Sequence, residues 1–563
     1  MVRTLARSLA IAWLITACDG GGGRDAGPSD GGVATDAGGG VDWPRMEVPA
    51  STVPVAGVRR EIFRVAGFTP PANPNGGATT PSELDFTQVV RFRADQDPPV
   101  PVRAILVAMP GLFGGAPSYE SLAEALVLRG VNTSLPVEVW AIDRRSNALE
   151  DLRGADAAEA AGNPEIAQGY YFGRDTVGGE AFPGFHTASE LSYMSEWGLT
   201  THAEDLRRVI AMVPEADRRS HVFLLGHSLG GSFAEAYASW RFEDGTRGVE
   251  ELAGIVLIDG ALGTTALSED EYRNGTPGIM GLPGVDTIRA ASPFIELPLL
   301  GVSVYPRAEV MALRARFAPT EVVRDRARDE VLGLLLNLPR RSVPPMTNLA
   351  ALGWGFDTSS NALTFAAVSC GEPTGGPIET YTSTVFGDAM LTRPSDPSAT
   401  YDWLDAPDTD PPEPTPMSAL IASWVHGRSN FAEWYFPTRL ALDLQAVAGP
   451  DVPEDDWRAD EGLRTFDRQL VDAPVLAIGA ALVGADGYAD LPTRLAPTVG
   501  AGRPHEGATR TEELGLRVVD LSFLSHIDPL SGVDSDRNTT SLEIMRFVDE
   551  HAAVDGTVSL PAM

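Results

Sequence analysis

The pattern of apolar and polar positions divides the chain into two regular stretches separated by an irregular one. Residues 58–68 (VRREIFRVAGF) and 86–93 (FTQVVRFR) are expected to be strands, the second alternating Val90 and Phe92 against Arg91 and Arg93. Residues 102–109 (VRAILVAM), 137–142 (VEVWAI), 222–225 (VFLL) and 252–258 (LAGIVLI) are nearly continuous apolar runs, as in parallel strands buried on both faces. A helical pattern covers 118–129, and a second, capped by Thr200, runs to about 212 with Leu206, Val209 and Ile210 on its apolar side. Residues 151–196 between them read as an irregular insertion rich in glycine and aromatic side chains. After residue 260 the regularity stops. It resumes with the apolar runs 474–479 and 516–524 and a helix at about 540–551. Strands and helices alternating in this way predict an α/β fold with a mostly parallel, doubly wound sheet. The core is expected at 51–260 and 471–563, with 261–470 inserted as a large cap domain. The insertion carries helical patterns at 307–338, an acidic proline-rich loop at 405–416 and an aromatic-dense stretch at 424–436.

Candidate chemistry lies at the end of one apolar run. Residues 221–232 read HVFLLGHSLGGS: a buried-type strand stops at Gly226-His227-Ser228-Leu229-Gly230, and small residues at helical spacing follow. In a chain with 58 glycines in 563 residues, glycines two before and two after a serine occur by chance at roughly one serine in a hundred. The strand before and the helix after give the match its specificity. This stretch resembles the nucleophile elbow of the α/β-hydrolases, where a strained turn lifts a serine hydroxyl above the sheet and both flanking positions must be small.

The resemblance implies the rest of a site. In that family the loop after an early strand reads His-Gly-X, and the N–H of X supplies half of an oxyanion hole. Here Pro110-Gly111-Leu112 follows the 102–109 strand, with proline in place of histidine, so Leu112 and Leu229 are the implied donors. Asp143-Arg144-Arg145-Ser146 resembles a turn whose acid is structural. The family's triad acid sits just after a late strand, which points to Asp486, with Asp259 and Asp490 as alternatives. The base follows the last strand, where His526 stands; His505 lies before that strand, and His227 is expected to shape the turn. The implied order is Ser228, Asp486, His526, covering 58–260 and 470–551 and leaving the insertion outside.

Composition narrows the partners. The formal net charge is −34 and the chain has no lysine, which argues against nucleic-acid binding. Residues Trp424, Phe431, Trp434, Tyr435 and Phe436 could line an acyl pocket or form the cap's own core, the commoner use of aromatics. Asp405, Asp408, Asp410 and Glu413 could hold Ca²⁺, although a solvated acidic loop is the commoner case. No metal and no cofactor is expected. Oligomeric state is not legible.

The N-terminus reads as an export signal. Arg3 and Arg7 precede a short apolar run at 9–15, well under the roughly 20 residues of a membrane span. Residues 1–17 are therefore expected to be a signal peptide, and Ile15-Thr16-Ala17-Cys18 resembles a bacterial lipobox, with Cys18 the lipidated residue. Residues 18–50 would form the attachment site and a flexible tether, since 19–42 hold almost nothing apolar. Cys370, the other of two cysteines, is expected to be a lone thiol. Together these readings predict an exported, lipid-anchored serine hydrolase of the cell envelope, acting on a small-molecule or lipid carboxylic ester. A peptidase, thioesterase or acyltransferase on the same triad, or a binding lipoprotein that does no chemistry, are the alternatives.

Overall fold

The computed structural model describes residues 46–563 apart from 98, 278–280, 298–299, 384–388, 426–427, 554–555, 559 and 561–563. The signal peptide, Cys18 and most of the tether lie outside the described residues. Nine strands form one sheet: β1 (Met46–Val55), β2 (Val58–Ala66), β3 (Phe86–Ala94), β4 (Ala104–Met109), β5 (Val137–Asp143), β6 (Val222–His227), β7 (Gly254–Ile258), β8 (Val475–Gly479) and β9 (Leu516–Asp520). Their order is β1-β2-β3-β5-β4-β6-β7-β8-β9. From β5 to β9 all neighbours are parallel, while β1, β2 and β3 add an antiparallel edge.

Side chains alternate across this sheet as the apolar runs required. Leu106, Leu225, Val256 and Ile478 point to one face, covered by Leu122 and Leu126 of α1 (Glu120–Asn132). Ile105, Val107, Leu224 and Leu257 point to the other, covered by α2 (Leu199–Ile210) and α3 (Leu229–Ala238). Strands buried on both faces have no polar alternation to show, and for that reason they read as unbroken apolar runs.

The insertion contributes α4 (Val304–Phe317), α5 (Arg326–Leu335), α6 (Asn348–Phe356), α7 (Met417–Trp424) and α8 (Thr438–Ala446), with two small antiparallel ladders between α6 and α7. Its apolar residues Met311, Leu352, Trp354, Leu420 and Leu440 belong to the same buried cluster as the α2/α3 face of the sheet. The cap therefore shares its core with the sheet. A last helix, α9 (Thr540–His551), packs Ile544 and Phe547 on the α1 face.

The helical patterns at 307–338 are two helices, α4 and α5, parted by a segment that contains Pro319, which lacks the N–H a continuous helix needs. One expectation is corrected. The sheet begins earlier than expected: β1 starts at Met46, inside the stretch assigned to the tether. Its sequence MEVPASTVPV holds two prolines and does not read as a strand. It is an edge strand with breaks in register, where proline is tolerated.

Candidate active site

Ser228 sits between the end of β6 and the start of α3, at φ 55° and ψ −126°. A residue with a side chain rarely adopts this backbone, at a cost of about 1–3 kcal/mol, and does so where the surroundings enforce it. The surroundings here are two crowded glycines. A Cβ on Gly226 would lie 2.0 Å from the Gly230 carbonyl oxygen, and one on Gly230 would lie 2.1 Å from that of Met109. The Ser228 N–H donates to the Ile258 carbonyl at 3.0 Å, tying the turn to the end of β7.

His526 follows β9, almost wholly buried, with Nδ1 2.7 Å from Oδ2 of Asp259. Asp259 ends β7, fully buried, at φ 43°. Its carboxylate accepts backbone N–H groups from Ala480 (2.9 Å), Leu482 (2.9 Å), Val483 (2.8 Å) and Gly484 (3.3 Å). Burial pushes this acid upward, but the His526 bond and charge and these backbone donors outweigh it, leaving Asp259 below the ordinary carboxylate range and ionised. The Tyr488 hydroxyl accepts the Gly260 N–H at 3.0 Å and steadies the same turn.

The sequence-based choice of acid is thus corrected. Asp486 lies in a short turn, Ala485–Tyr488, and lines the cavity, while Asp490 pairs with Arg494 at 3.1 Å. The carboxylate on the imidazole comes from one strand nearer the nucleophile. The loop after β8 contributes not the acid but the N–H groups that hold it. His505 is remote in role: its Nε2 meets the Glu550 carbonyl at 3.0 Å.

His227 does more than shape the turn. Its ring lies 4.5 Å from that of His526, and its Nε2 is 2.9 Å from the His526 carbonyl oxygen. Burial, then the neighbouring His526, lowers its pKa to about 3. A neutral ring facing a carbonyl must carry its proton on Nε2, so His227 donates there and fixes the loop that bears His526.

The loop after β4 runs against Ser228: a Cβ on Gly111 would lie 2.9 Å from the Ser228 Cβ. Its carbonyls are turned onto Arg144, whose guanidinium donates to Pro110, to Gly111 at 3.2 Å and to Gly114 at 3.2 Å. Leu112 and Leu229 both border the cavity, and among the described residues neither N–H meets a backbone or side-chain acceptor. Asp143 takes the structural part implied for it, accepting from Ala116 N–H (2.7 Å), Gln88 (2.8 Å) and Ser429 (2.7 Å).

Two anchoring residues escaped the sequence reading. Asp528 is fully buried and accepts the Ser525 N–H (2.8 Å) on one oxygen, and the Ser369 N–H (2.9 Å) and Thr415 hydroxyl (2.7 Å) on the other. It therefore joins the His526 loop to the insertion. Glu433 pairs with Arg144 at 2.7 Å, and its N–H donates to the Phe113 carbonyl at 2.8 Å, joining the insertion to the β4 loop. The only local signals were an acid two residues after His526 and an arginine directly after β5.

Ser228, Leu112, Leu229, Asp259 and His526 all open on one cavity of about 1090 Å³. The aromatic cluster divides: Trp424 and Phe431 stack at 4.7 Å and line the cavity, whereas Trp434, Tyr435 and Phe436 are buried in the packing behind it. Asp405 and Glu413 of the acidic loop accept backbone N–H groups of Met417 (2.8 Å) and Gly371 (2.6 Å).

A parallel sheet with an antiparallel edge, a strained serine between strand and helix, and a histidine–aspartate pair over the strand ends decide the architecture. This is the α/β-hydrolase fold. The chain is weakly similar to several solved structures. They include a candidate lipase from Sulfolobus solfataricus (13% identity, 90% of this chain and 99% of that one, TM-score 0.45). A soluble variant of monoglyceride lipase from Saccharomyces cerevisiae matches at 12% identity (84% and 92%, TM-score 0.29), and a thermophilic esterase from Thermogutta terrifontis at 11% (87% and 99%, TM-score 0.32). No protein-family model and no curated protein matches the chain.

Proposed function

We propose that this protein is a serine hydrolase of carboxylic esters, exported and held at the cell envelope by a lipid on Cys18. The reading rests on one observation above all: a strained Ser228 and an ionised Asp259 bonded to His526 face the same cavity. A free serine hydroxyl is a weak nucleophile at neutral pH. In the proposed reaction Ser228 Oγ attacks the ester carbonyl while His526 Nε2 takes its proton. Asp259 accepts from Nδ1–H, holding the tautomer and stabilising the imidazolium. The N–H groups of Leu112 and Leu229 receive the developing oxyanion, at about 3–4 kcal/mol for each donor lost. His526 then returns the proton to the leaving alcohol, and water cleaves the acyl-enzyme by the same path in reverse.

The test is covalent labelling of the detergent-extracted full chain. A fluorophosphonate probe should attach at Ser228, vanish with Ser228→Ala and fall steeply with His526→Ala. Absence of label in folded protein would transfer support to a binding protein on this scaffold. The anchor is tested separately: Cys18→Ser should release soluble protein and abolish acyl labelling.

A further inference from the structure

Resting on the hydrolase reading, we propose that the cavity selects neutral esters with a long apolar acyl chain and discriminates against substrates whose leaving group is anionic. The cavity lining is of two kinds. Ser228 and His526 share it with the carboxylates of Asp486 and Asp490. Much of the apolar lining comes from the insertion: Met311 of α4, Val331 and Leu335 of α5, Gly355 of α6, and the stacked Trp424 and Phe431.

Size sets the acyl group. A volume of about 1090 Å³ exceeds the usual upper range of a small-molecule site, about 1,000 Å³. An acetyl group would leave most of the apolar wall uncovered, whereas a chain of ten or more carbons removes that wall from water. Each buried methylene is worth at most about fourfold in kcat/KM, which is ~0.8 kcal/mol converted at room temperature.

Charge sets the leaving group. Among the described residues no arginine lines the cavity, and the whole chain contains no lysine. An anionic group such as the phosphates of coenzyme A would meet the carboxylates of Asp486 and of Asp490, the latter paired with Arg494, and would find no cation on the lining itself, on a protein of net charge −34. Like charges in a confined site disfavour binding, and the effect weakens with salt.

Two measurements on the detergent-extracted full chain test this. The first is kcat/KM for p-nitrophenyl esters from acetate to dodecanoate, each below its aggregation limit. It should rise at least a hundredfold along the series. Gly355→Leu should move the optimum to shorter chains and cut the dodecanoate-to-butyrate ratio at least tenfold. A Cβ at Gly355 touches only the Met311 side-chain tip, at 3.4 Å, so the larger residue has room to enter the cavity. Val331→Phe is the second route should that variant fail to fold. A flat profile, or one that peaks at acetate, would overturn the acyl half of the proposal.

The second measurement compares dodecanoyl-CoA with the neutral dodecanoyl thioester of N-acetylcysteamine, which differ in charge but share the reacting bond. The neutral thioester should be favoured at least tenfold, with the gap narrowing in high salt and in Asp486→Asn/Asp490→Asn. Equal rates would overturn the charge half. Fluorophosphonate labelling of Ser228 that persists through either failure leaves the hydrolase reading intact; loss of labelling removes the reading itself.

Discussion

The sheet and the insertion solve different problems, and they differ in how they do so. The sheet supplies the groups of the proposed reaction from strand ends: Ser228 after β6, Asp259 after β7 and His526 after β9. Their relative positions follow from strand pairing, with β6 and β7 in parallel register from Phe223–Gly254 to His227–Ile258. The insertion has no such continuous ladder. It is held by scattered bonds: Asp528 to Ser369 and Thr415, Glu433 to Arg144, and backbone pairs such as Gly115 N–H to the Phe431 carbonyl and Glu433 N–H to that of Phe113. Reactivity is thus fixed by a regular lattice of backbone bonds, and the cavity above it by a few buried polar anchors. An insertion that shares its core with the sheet and grips the loops after β4 and before α9 is part of the candidate site and not a detachable lid.

The largest expected effect strikes the sheet side. Asp259→Asn should lower kcat by about 10⁴, since the amide favours the wrong tautomer of His526 while the cradle of N–H groups remains. Asp486→Asn should cost no more than about tenfold, because that carboxylate stands on the cavity wall. Steady-state kinetics on a neutral ester separates the two. A crippled Asp486→Asn beside a healthy Asp259→Asn would reverse the assignment of the acid.

That pair of residues also marks the limit of what the sequence discloses. The apolar runs announced every parallel strand; from β4 to β8 this is because burial on both faces leaves a compositional trace, while the edge strand β9 exposes Val518 and Asp520 and owes its signal to the run itself. The Gly226/Gly230 spacing announced the elbow, because crowding excludes any Cβ. Position after the last strand announced His526. The acid was ambiguous because its identity depends on backbone N–H groups at 480–484, which every sequence possesses and none displays. The insertion's anchors were hidden for a related reason: Ser369, Thr415 and Asp528 are more than a hundred residues apart at their widest, and hydrogen bonds across such distances leave no periodicity. The edge strand β1 was hidden by its prolines.

A smaller effect should follow from loosening the insertion's grip on the His526 loop. Asp528→Asn retains one acceptor oxygen and sets an NH₂ group against a former donor. Displacing catalytic groups by about 1 Å can cost about a hundredfold. We expect kcat to fall ten- to a hundredfold with KM changed less than threefold. Thr415→Val removes only the insertion-side hydroxyl and should shift kcat in the same direction by less, with about 1–3 kcal/mol of stability lost for the acceptor left short. Stability lost in both variants with kcat intact would reduce Asp528 to packing, and the contrast between sheet and insertion would have to be redrawn as one of reactivity against support alone.

The smallest effect concerns acid tolerance, and it belongs to the sheet side. Burial lowers His202 to about 4 and both His227 and His551 to about 3, from an ordinary 6.5. Each is neutral when folded, whereas the unfolded chain takes up a proton near 6.5. The unfolded state therefore binds more protons between about 6.5 and about 3, and stability falls as pH falls through that window. His551 is the clearest case. It is fully buried, neither ring nitrogen has a hydrogen-bond partner, and its ring packs 4.6 Å from Phe547. His551→Phe keeps an aromatic ring at that place and removes the titration, and the imidazole has no bond to lose. Denaturant midpoints between pH 7 and pH 4 should therefore slope less steeply in the variant, by at most about 1.4 kcal/mol per pH unit. An unchanged slope would mean that His551 takes up no protons on unfolding across that range, and the acid sensitivity would then rest with His202 and His227.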